Sequence, residues 1–362
     1  MAGTLYQGPL PRKKREEKPM LRLLVTGGAG FIGSNFIRFF LNKYSDDSIV
    51  NLDKLTYAGN LDNVSEFQGD PRYEFVLGDV ADPQTLEVVF RRELDAVVHF
   101  AAETHVDRSI ADASDFVRTN VQGTYTLLEA ARRKRVPRFL HVSTDEVYGS
   151  MEPGQTADEG VRLQPNSPYA ASKAASDLLV RSYWQTYRFP AMVTRCSNNY
   201  GPYQFPEKLV PLMITNALEG KSLPIYGDGL NERDWIFVED HCAALDRLLR
   251  AGRPGEIYNI GSGQPITNLQ MVRYLLQILH KSEDQIEFVA DRPGHDRRYA
   301  VETRKILSEV DWSATIELQE GLLRTAEWYR ANSEWVRKTK SGEYLTYYER
   351  FYTNRQASLA GI

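Results

Sequence analysis

Cysteine is scarce in this chain. Cys196 and Cys242 are the only two among 362 residues, and no CxxC pair occurs. That excludes a disulfide framework and points to a reducing compartment, the cytoplasm. The six histidines show neither HExxH nor any other ligand spacing, so no metal is expected. Long apolar runs are missing as well. None approaches the roughly 20 residues of a membrane span, and the N-terminus carries no apolar signal-peptide core. Positive charge is not in excess, and a net charge of −4 argues against nucleic acid or an anionic membrane as partner. What remains is 42% hydrophobic and 25% charged residues, an ordinary globular balance. At about 150 residues per domain the length suits two domains, or one large domain with an appendage.

Residues 1–19, "MAGTLYQGPLPRKKREEKP", are polar and charge-rich and read as a dispensable disordered tail. From Leu21 onward, short apolar runs alternate with longer amphipathic ones. The apolar runs are "LRLLVTG" (21–27), "SIVNLD" (48–53), "YEFVLGD" (73–79), "AVVHFAA" (96–102), "RFLHVST" (138–144) and "AMVTRCS" (191–197). Between them lie helix-like stretches such as "DFVRTNVQGTYTLLEAARR" and "SKAASDLLVRSYWQTY". This alternation predicts an α/β fold, a doubly wound parallel sheet with helices on both faces. Beyond Asn198 the rhythm loosens, although "EIYNIG" (256–261) reads as a strand that rejoins the sheet. The expected division is a dinucleotide-binding Rossmann domain over 20–200, a smaller α/β substrate-binding domain mainly over 201–350, and a tail over 351–362.

The first strand runs into "GGAGFIGS", where Gly28, Gly30 and Gly33 fit GxGxxG, and Gly27, Gly30 and Gly33 fit GxxGxxG. Glycines permit the turn and let backbone amides approach a pyrophosphate at a helix N-terminus. Such loops occur without ligands, but this one has a strand before it and a helix after it. Asp53 ends the second strand, 26 positions after Gly27. A carboxylate there accepts from ribose hydroxyls and repels a 2′-phosphate, which favours NAD over NADP. The strand tips at Asp79 and Val80, and at Ala101, Ala102 and Thr104, are expected to line the same cleft.

"VSTDEVYG" puts Asp145 and Glu146 side by side at the end of an apolar run. Downstream, "YAASK" places Tyr169 and Lys173 four apart, hence on one helix face, with Pro168 in the first turn and Asn166 or Ser167 as cap. An ammonium beside a phenol lowers its pKa, so Tyr169 is a candidate general base. A lone YxxxK is usually helix surface, and an acidic pair is usually a solvated loop. Their conjunction with the glycine loop makes both bland readings poor.

These residues resemble the extended short-chain dehydrogenase/reductases. "DKLTYAGNL", "FAAETHVDRS", "STDEVYG", "SPYAASKAASD", "SNNYGPYQFPEKLVP", "GDGLNERDW" and "RPGHDRRYA" narrow the resemblance to the dTDP-glucose 4,6-dehydratase branch, from about Leu21 to the mid-350s. Thr104 stands where that pattern carries Ser. The resemblance implies a lyase that binds a nucleotide sugar, dTDP-glucose above UDP-glucose, retains NAD and pairs as a homodimer. It implies that Tyr169 takes the proton from the sugar 4-hydroxyl as C4 is oxidised by NAD. Glu146 then removes the C5 proton, Asp145 protonates the departing 6-hydroxyl, and C6 is reduced. Thr144 would hold the 4-hydroxyl. Phe31, Ile32, Lys54, Leu55, Thr56, Thr119 and Asn199 would complete the cofactor site. His105, Asn198, Glu207, Lys208 and Leu209 would border the sugar and first phosphate. Arg233 and Arg292 would meet the diphosphate, and His295 would also bind the substrate. Pro224, Ile225, Tyr226, Asn268 and Tyr299 would surround the nucleoside. Arg297 reads as surface charge. Two other readings compete: a nucleotide-sugar 4-epimerase or decarboxylase on the same scaffold, and a dinucleotide-sensing regulatory protein. The Asp-Glu pair argues against the epimerase, and the Tyr-Lys pair against the regulator.

Overall fold

A computed structural model of the chain describes residues 20–340. The tails expected at 1–19 and 351–362 lie outside that range. The strands are β1 (Arg22–Thr26), β2 (Ser48–Asp53), β3 (Tyr73–Leu77), β4 (Ala96–His99), β5 (Phe139–Thr144), β6 (Ala191–Cys196), β7 (Asn198–Tyr200), β8 (Leu223–Tyr226), β9 (Glu232–Phe237), β10 (Ile257–Ile260), β11 (Pro265–Thr267) and β12 (Ile286–Val289). Seven of them form one sheet in the order β10-β6-β5-β4-β1-β2-β3. Every pairing in it is parallel, with Leu23 opposite both Ile49 and Ala96. Helices cover both faces, which is why these strands are continuous apolar runs and do not alternate.

The six apolar runs are thus the six sequential strands, and "EIYNIG" supplies the seventh, at the β6 edge. Two strands stop two or more residues short of the apolar run. After Leu77 the chain turns at Asp79, whose Oδ1 accepts from Ala81 N at 2.8 Å. After His99 it leaves the sheet, with Glu103 N and O both held by the Asn120 side chain, at 2.8 and 3.0 Å.

On one face, Phe36, Ile37 and Phe40 of helix Phe31–Lys43 pack with Leu245 and Leu248 of helix Val238–Ala251. All five are fully buried, and each such side chain contributes about 1.5–3 kcal/mol. On the other face, Leu127 and Leu128 pack with Val180 and Tyr183. The helix expected over 115–133 is not uniform. Val117–Gly123 is a π-helical stretch between Ser114–Phe116 and Thr124–Arg133. Helix Pro168–Tyr187 is capped by Ser167, whose Oγ accepts from Ala170 N at 3.1 Å.

A third core, built on Leu212, Ile214, Phe237, Leu275 and Tyr329, lies in the later part of the chain. It supports a three-stranded sheet, β11-β9-β7, and a parallel pair, β12-β8. The order of the large sheet reverses between β1 and β4. Ligands in open α/β sheets sit outside the strand carboxyl ends at such a point.

Candidate active site

One cleft opens along those carboxyl ends. Its wall includes Gly27, Gly30, Phe31, Ile32, Gly33, Asp53, Lys54, Thr56, Asp79, Val80, Ala101, Ala102, Thr104, Thr119, Tyr169, Lys173 and Asn199. Of the residues expected to hold a dinucleotide, Leu55 and the motif glycine Gly28 are off this wall. Leu55 turns the chain at φ 55 and donates its N–H to Asp53 Oδ1 at 2.8 Å.

The glycine loop fits a dinucleotide, and two of its glycines admit no side chain. A Cβ on Gly33 would lie 2.3 Å from Gly27 O, and one on Gly27 (φ 73) would lie 2.6 Å from Ala101 N. The helix that follows starts at Phe31 with no side-chain cap and no acid in its first turn, so its leading N–H groups suit a pyrophosphate. Asp53 accepts from Ala29 N at 2.9 Å and keeps lone pairs for ribose hydroxyls. The nearby cations are already paired, as Lys54 and Arg118 both meet Asp79, at 3.0 and 2.9 Å. Neither of these two is left unpaired to favour a 2′-phosphate.

Deeper in the cleft, β5 runs directly into a 3₁₀ turn, Asp145–Tyr148, with Thr144 as its N-cap. Thr144 Oγ1 accepts from Glu146 N and donates to Asp145 Oδ1, both at 3.3 Å. Asp145 is buried behind the wall, with Oδ2 unpartnered, whereas Glu146 is on the wall. Burial raises both, but the charges around them differ. Burial, Glu146 and Asp234 together hold Asp145 well above the usual carboxylate range. Burial also raises Glu146, but Arg292, Lys208 and Arg233 pull it back toward ionisation.

Lys173 Nζ donates to Val142 O at 2.8 Å. Burial lowers its pKa to about 8. Tyr169 differs from the sequence expectation. Its phenol is held well above its ordinary pKa, by burial first and then by the Glu146 carboxylate and Cys196, against a downward pull from the Thr144 hydroxyl. Lys173 is not among the charges that dominate it. Tyr169 and Lys173 do lie four apart on one helix, but burial outweighs the ammonium at the phenol.

The residues assigned to the nucleotide sugar fall into two groups. Asn198, Glu207 and Lys208 line the cleft, and Asn198 Oδ1 is buried without a partner. Lys208 Nζ donates to Thr104 O at 2.9 Å. Buried His105 is 3.9 Å from Glu207 Oε2. The second group lies off this wall. Arg233 is stacked over the Tyr299 ring at 4.2 Å and donates to Asp296 O at 2.9 Å. Arg292 is 3.7 Å from Asp107 Oδ1, and Tyr226 donates to Asp107 Oδ2 at 3.0 Å. His295 is 2.6 Å from Asp291, and burial with Arg292 and Arg233 drives its pKa down to about 3. Pro224 and Ile225 are buried on β8, while Leu209 and Asn268 each open a helix. Asn199 spends its amide inward, on Ser197 O at 3.0 Å and His241 at 2.8 Å. Arg297 makes an exposed pair with Asp228 at 2.8 Å, in keeping with surface charge.

Sequence reasoning missed Tyr57, Arg108 and Phe205. Tyr57 donates to Glu207 Oε1 at 2.9 Å, carries the Arg108 guanidinium over its ring at 3.8 Å, and meets Phe205 edge-on at 5.5 Å. Burial brings Glu207 up to about 7, with Lys208 and Arg108 opposing. The three come from remote segments, so no local pattern announces the cluster. Among the described residues no group of acidic, His or Cys side chains is placed to hold a metal.

The model of the GDP-mannose 4,6 dehydratase family matches residues 24–325. The dTDP-glucose 4,6-dehydratase of Escherichia coli is 48% identical, over 93% of this chain and all of that protein. The chain belongs to that family, in its dTDP-glucose 4,6-dehydratase branch. Among solved structures, the dTDP-glucose 4,6-dehydratase of Streptomyces venezuelae, which has NAD bound, is 52% identical with a TM-score of 0.86, covering 88% of this chain and 100% of that one. The UDP-glucose 4-epimerase of Thermus thermophilus, in complex with NAD, is 30% identical with a TM-score of 0.80, over 86% and 100%. The fold is therefore common to dehydratases and epimerases and does not by itself choose between their chemistries.

Proposed function

We propose that the chain is a hydro-lyase that converts dTDP-glucose to dTDP-4-keto-6-deoxyglucose with NAD as a regenerated cofactor. The observation that carries this reading is an adjacent pair of carboxyls at the mouth of β5, Asp145 buried behind the cleft wall and Glu146 on it beside Tyr169, with more cationic neighbours acting on Glu146. An elimination needs one protonated and one ionised carboxyl together, and environments that push two pKa values apart supply that division. A simple 4-epimerase needs only the redox half.

When bound, NAD supplies the two-electron acceptor for C4 and the donor for C6, and its oxidised ring brings positive charge into the cavity. Tyr169 Oη receives the O4 proton, with Thr144 Oγ1 as hydrogen-bond partner of that oxygen. The 4-ketone so formed acidifies C5–H, and a Glu146 carboxylate oxygen takes that proton and returns one to C5 when C6 is reduced. Asp145, kept protonated by its buried, anionic setting, delivers a proton to O6 as the C6–O bond breaks and water leaves. Lys173 fixes the Tyr169 helix to β5 through Val142 O. Arg233, Arg292 and Lys208 favour ionised Glu146 and also suit a diphosphate, for which fork-shaped guanidinium donors are apt.

We infer a cytoplasmic homodimer. Val117, Tyr125, Leu178 and Tyr187 are apolar yet exposed on the helical stretch 114–133 and on helix Pro168–Tyr187, a face suited to a two-fold helix pairing. The two free cysteines are both buried, in keeping with a reducing compartment. No helix among the described residues is long and apolar enough to cross a membrane.

The test is incubation with dTDP-glucose and detection of the 4-keto-6-deoxy product. A C4-epimer, or turnover of UDP-glucose alone, would replace this reading. Light scattering should return twice the 41.3 kDa chain mass, and a monomer would refute the dimer.

A further inference from the structure

Helix Pro168–Tyr187 and the turn Asp145–Tyr148 carry the two halves of the chemistry, and a buried chain of hydrogen bonds joins them through a residue that has no part in the mechanism above. Tyr169, Lys173 and Asp177 recur at intervals of four, so they share one helix face. Arg195 lies on β6 opposite Ser143, the residue before Thr144. Its Nε donates to Asp177 Oδ2 at 2.9 Å, and its Nη1 donates to the Tyr148 hydroxyl at 2.9 Å. The guanidinium also sits 4.8 Å from the centre of the Tyr148 ring. Tyr148 closes the catalytic turn, and its hydroxyl donates onward to Asn259 Oδ1 at 2.8 Å on β10. Arg195, Asp177 and Tyr148 are all at most 4% exposed.

A buried ion pair is a poor way to gain stability, since desolvation cancels much of the attraction. What it does supply is direction. A planar guanidinium with one fork on the helix and the other on the turn fixes the distance between them. We propose that Arg195 is a positioning residue that locks the Asp145–Glu146 turn to the Tyr169–Lys173 helix, so that the elimination pair stays in register with a hexose already held for oxidation. This rests on the dehydration reading. It also makes a claim of its own: loosening the lock slows elimination and spares C4 oxidation, because Lys173 keeps its own tie to Val142 O.

Tyr148→Phe removes one hydroxyl from the lock and changes little volume, and Arg195→Lys keeps the charge on Asp177 but loses the fork. Single-turnover absorbance of reduced nicotinamide separates the two steps, and C5 hydrogen exchange in deuterated water provides a second readout. In both variants the absorbance should rise at the wild-type rate, decay about 10- to 100-fold more slowly, as expected for misplacement of order 1 Å, and exchange C5 more slowly. A purely structural defect would reduce the amplitude of the rise and leave the decay rate alone. That result, an equal slowing of both phases, or wild-type behaviour in both variants overturns the proposal. If wild-type protein itself makes no ketone, the reaction assignment fails instead, and this is visible before any variant is compared.

Discussion

The two ends of the cleft are built from different materials. At the dinucleotide end the contacts are backbone against backbone, with Gly33 against Gly27 O, Gly27 against Ala101, and the free N–H groups of a helix start. On the side proposed for the sugar they are charged side chains on remote segments, buried or half-buried: Asp145 and Glu146 after β5, Lys208 before a helix and, off the cleft wall, Arg233 on β9 and Arg292 in the loop after β12. The first end leaves no room for a side chain at Gly27 or Gly33. The second relies on charge. A cofactor that stays needs a rigid mould. A substrate that changes charge distribution in every step needs groups whose protonation can change with it.

That contrast predicts a hierarchy of damage. The largest effect should come from Gly33→Ala, which drives a methyl group into a carbonyl oxygen. Protein purified with this change should release no NAD on denaturation and lack turnover, and a normal cofactor content would break the comparison. Next is Glu146→Gln, which should cost about 10²–10⁴-fold in kcat, the usual loss for a general base, with cofactor content unchanged. Third is Arg233→Ala. Losing one charge-assisted contact of about 1.5–3 kcal/mol should raise KM about 10- to 100-fold while kcat falls less. An unchanged KM would remove Arg233 from the diphosphate.

The smallest effect is on stability and concerns Glu207. Its folded pKa, about 7, is above the ordinary carboxylate value of 4.5. The folded protein therefore binds this proton more tightly than the unfolded chain does. Its stabilising contribution is complete below about 4.5 and is lost as pH rises through about 7. Wild type and Glu207→Gln should melt together near pH 5, and the Gln variant should gain by a few degrees near pH 8. A gap that is constant with pH would contradict the assignment.

The same contrast explains what could be read from the sequence. The parallel sheet was legible because both faces of each strand are covered, which leaves unbroken apolar runs such as "LRLLVTG". The glycine loop, Asp53, and the Tyr169–Lys173 pair are local, with spacings set by turn and helix geometry. Arg233 and Arg292 came only from family resemblance, since isolated arginines carry no pattern. Tyr57, Arg108, Asp177 and Arg195 were invisible, because each acts through a partner far away in the chain. The π-helical stretch at Val117–Gly123 was hidden as well, since its apolar spacing mimics an ordinary helix. The Tyr169 pKa went astray for a related reason: a motif shows the neighbouring ammonium and says nothing of the burial around it.

The division of labour between Asp145 and Glu146 is the central claim, and C5 exchange in single turnover tests it most directly. Tyr169→Phe, Asp145→Asn and Glu146→Gln are each mixed with dTDP-glucose in deuterated water, and reduced nicotinamide and C5 deuterium are followed together. The account predicts little reduction with Tyr169→Phe. It predicts prolonged reduction with both carboxylate variants, and C5 exchange that survives in Asp145→Asn and disappears in Glu146→Gln. Exchange that survives in Glu146→Gln and disappears in Asp145→Asn would contradict it.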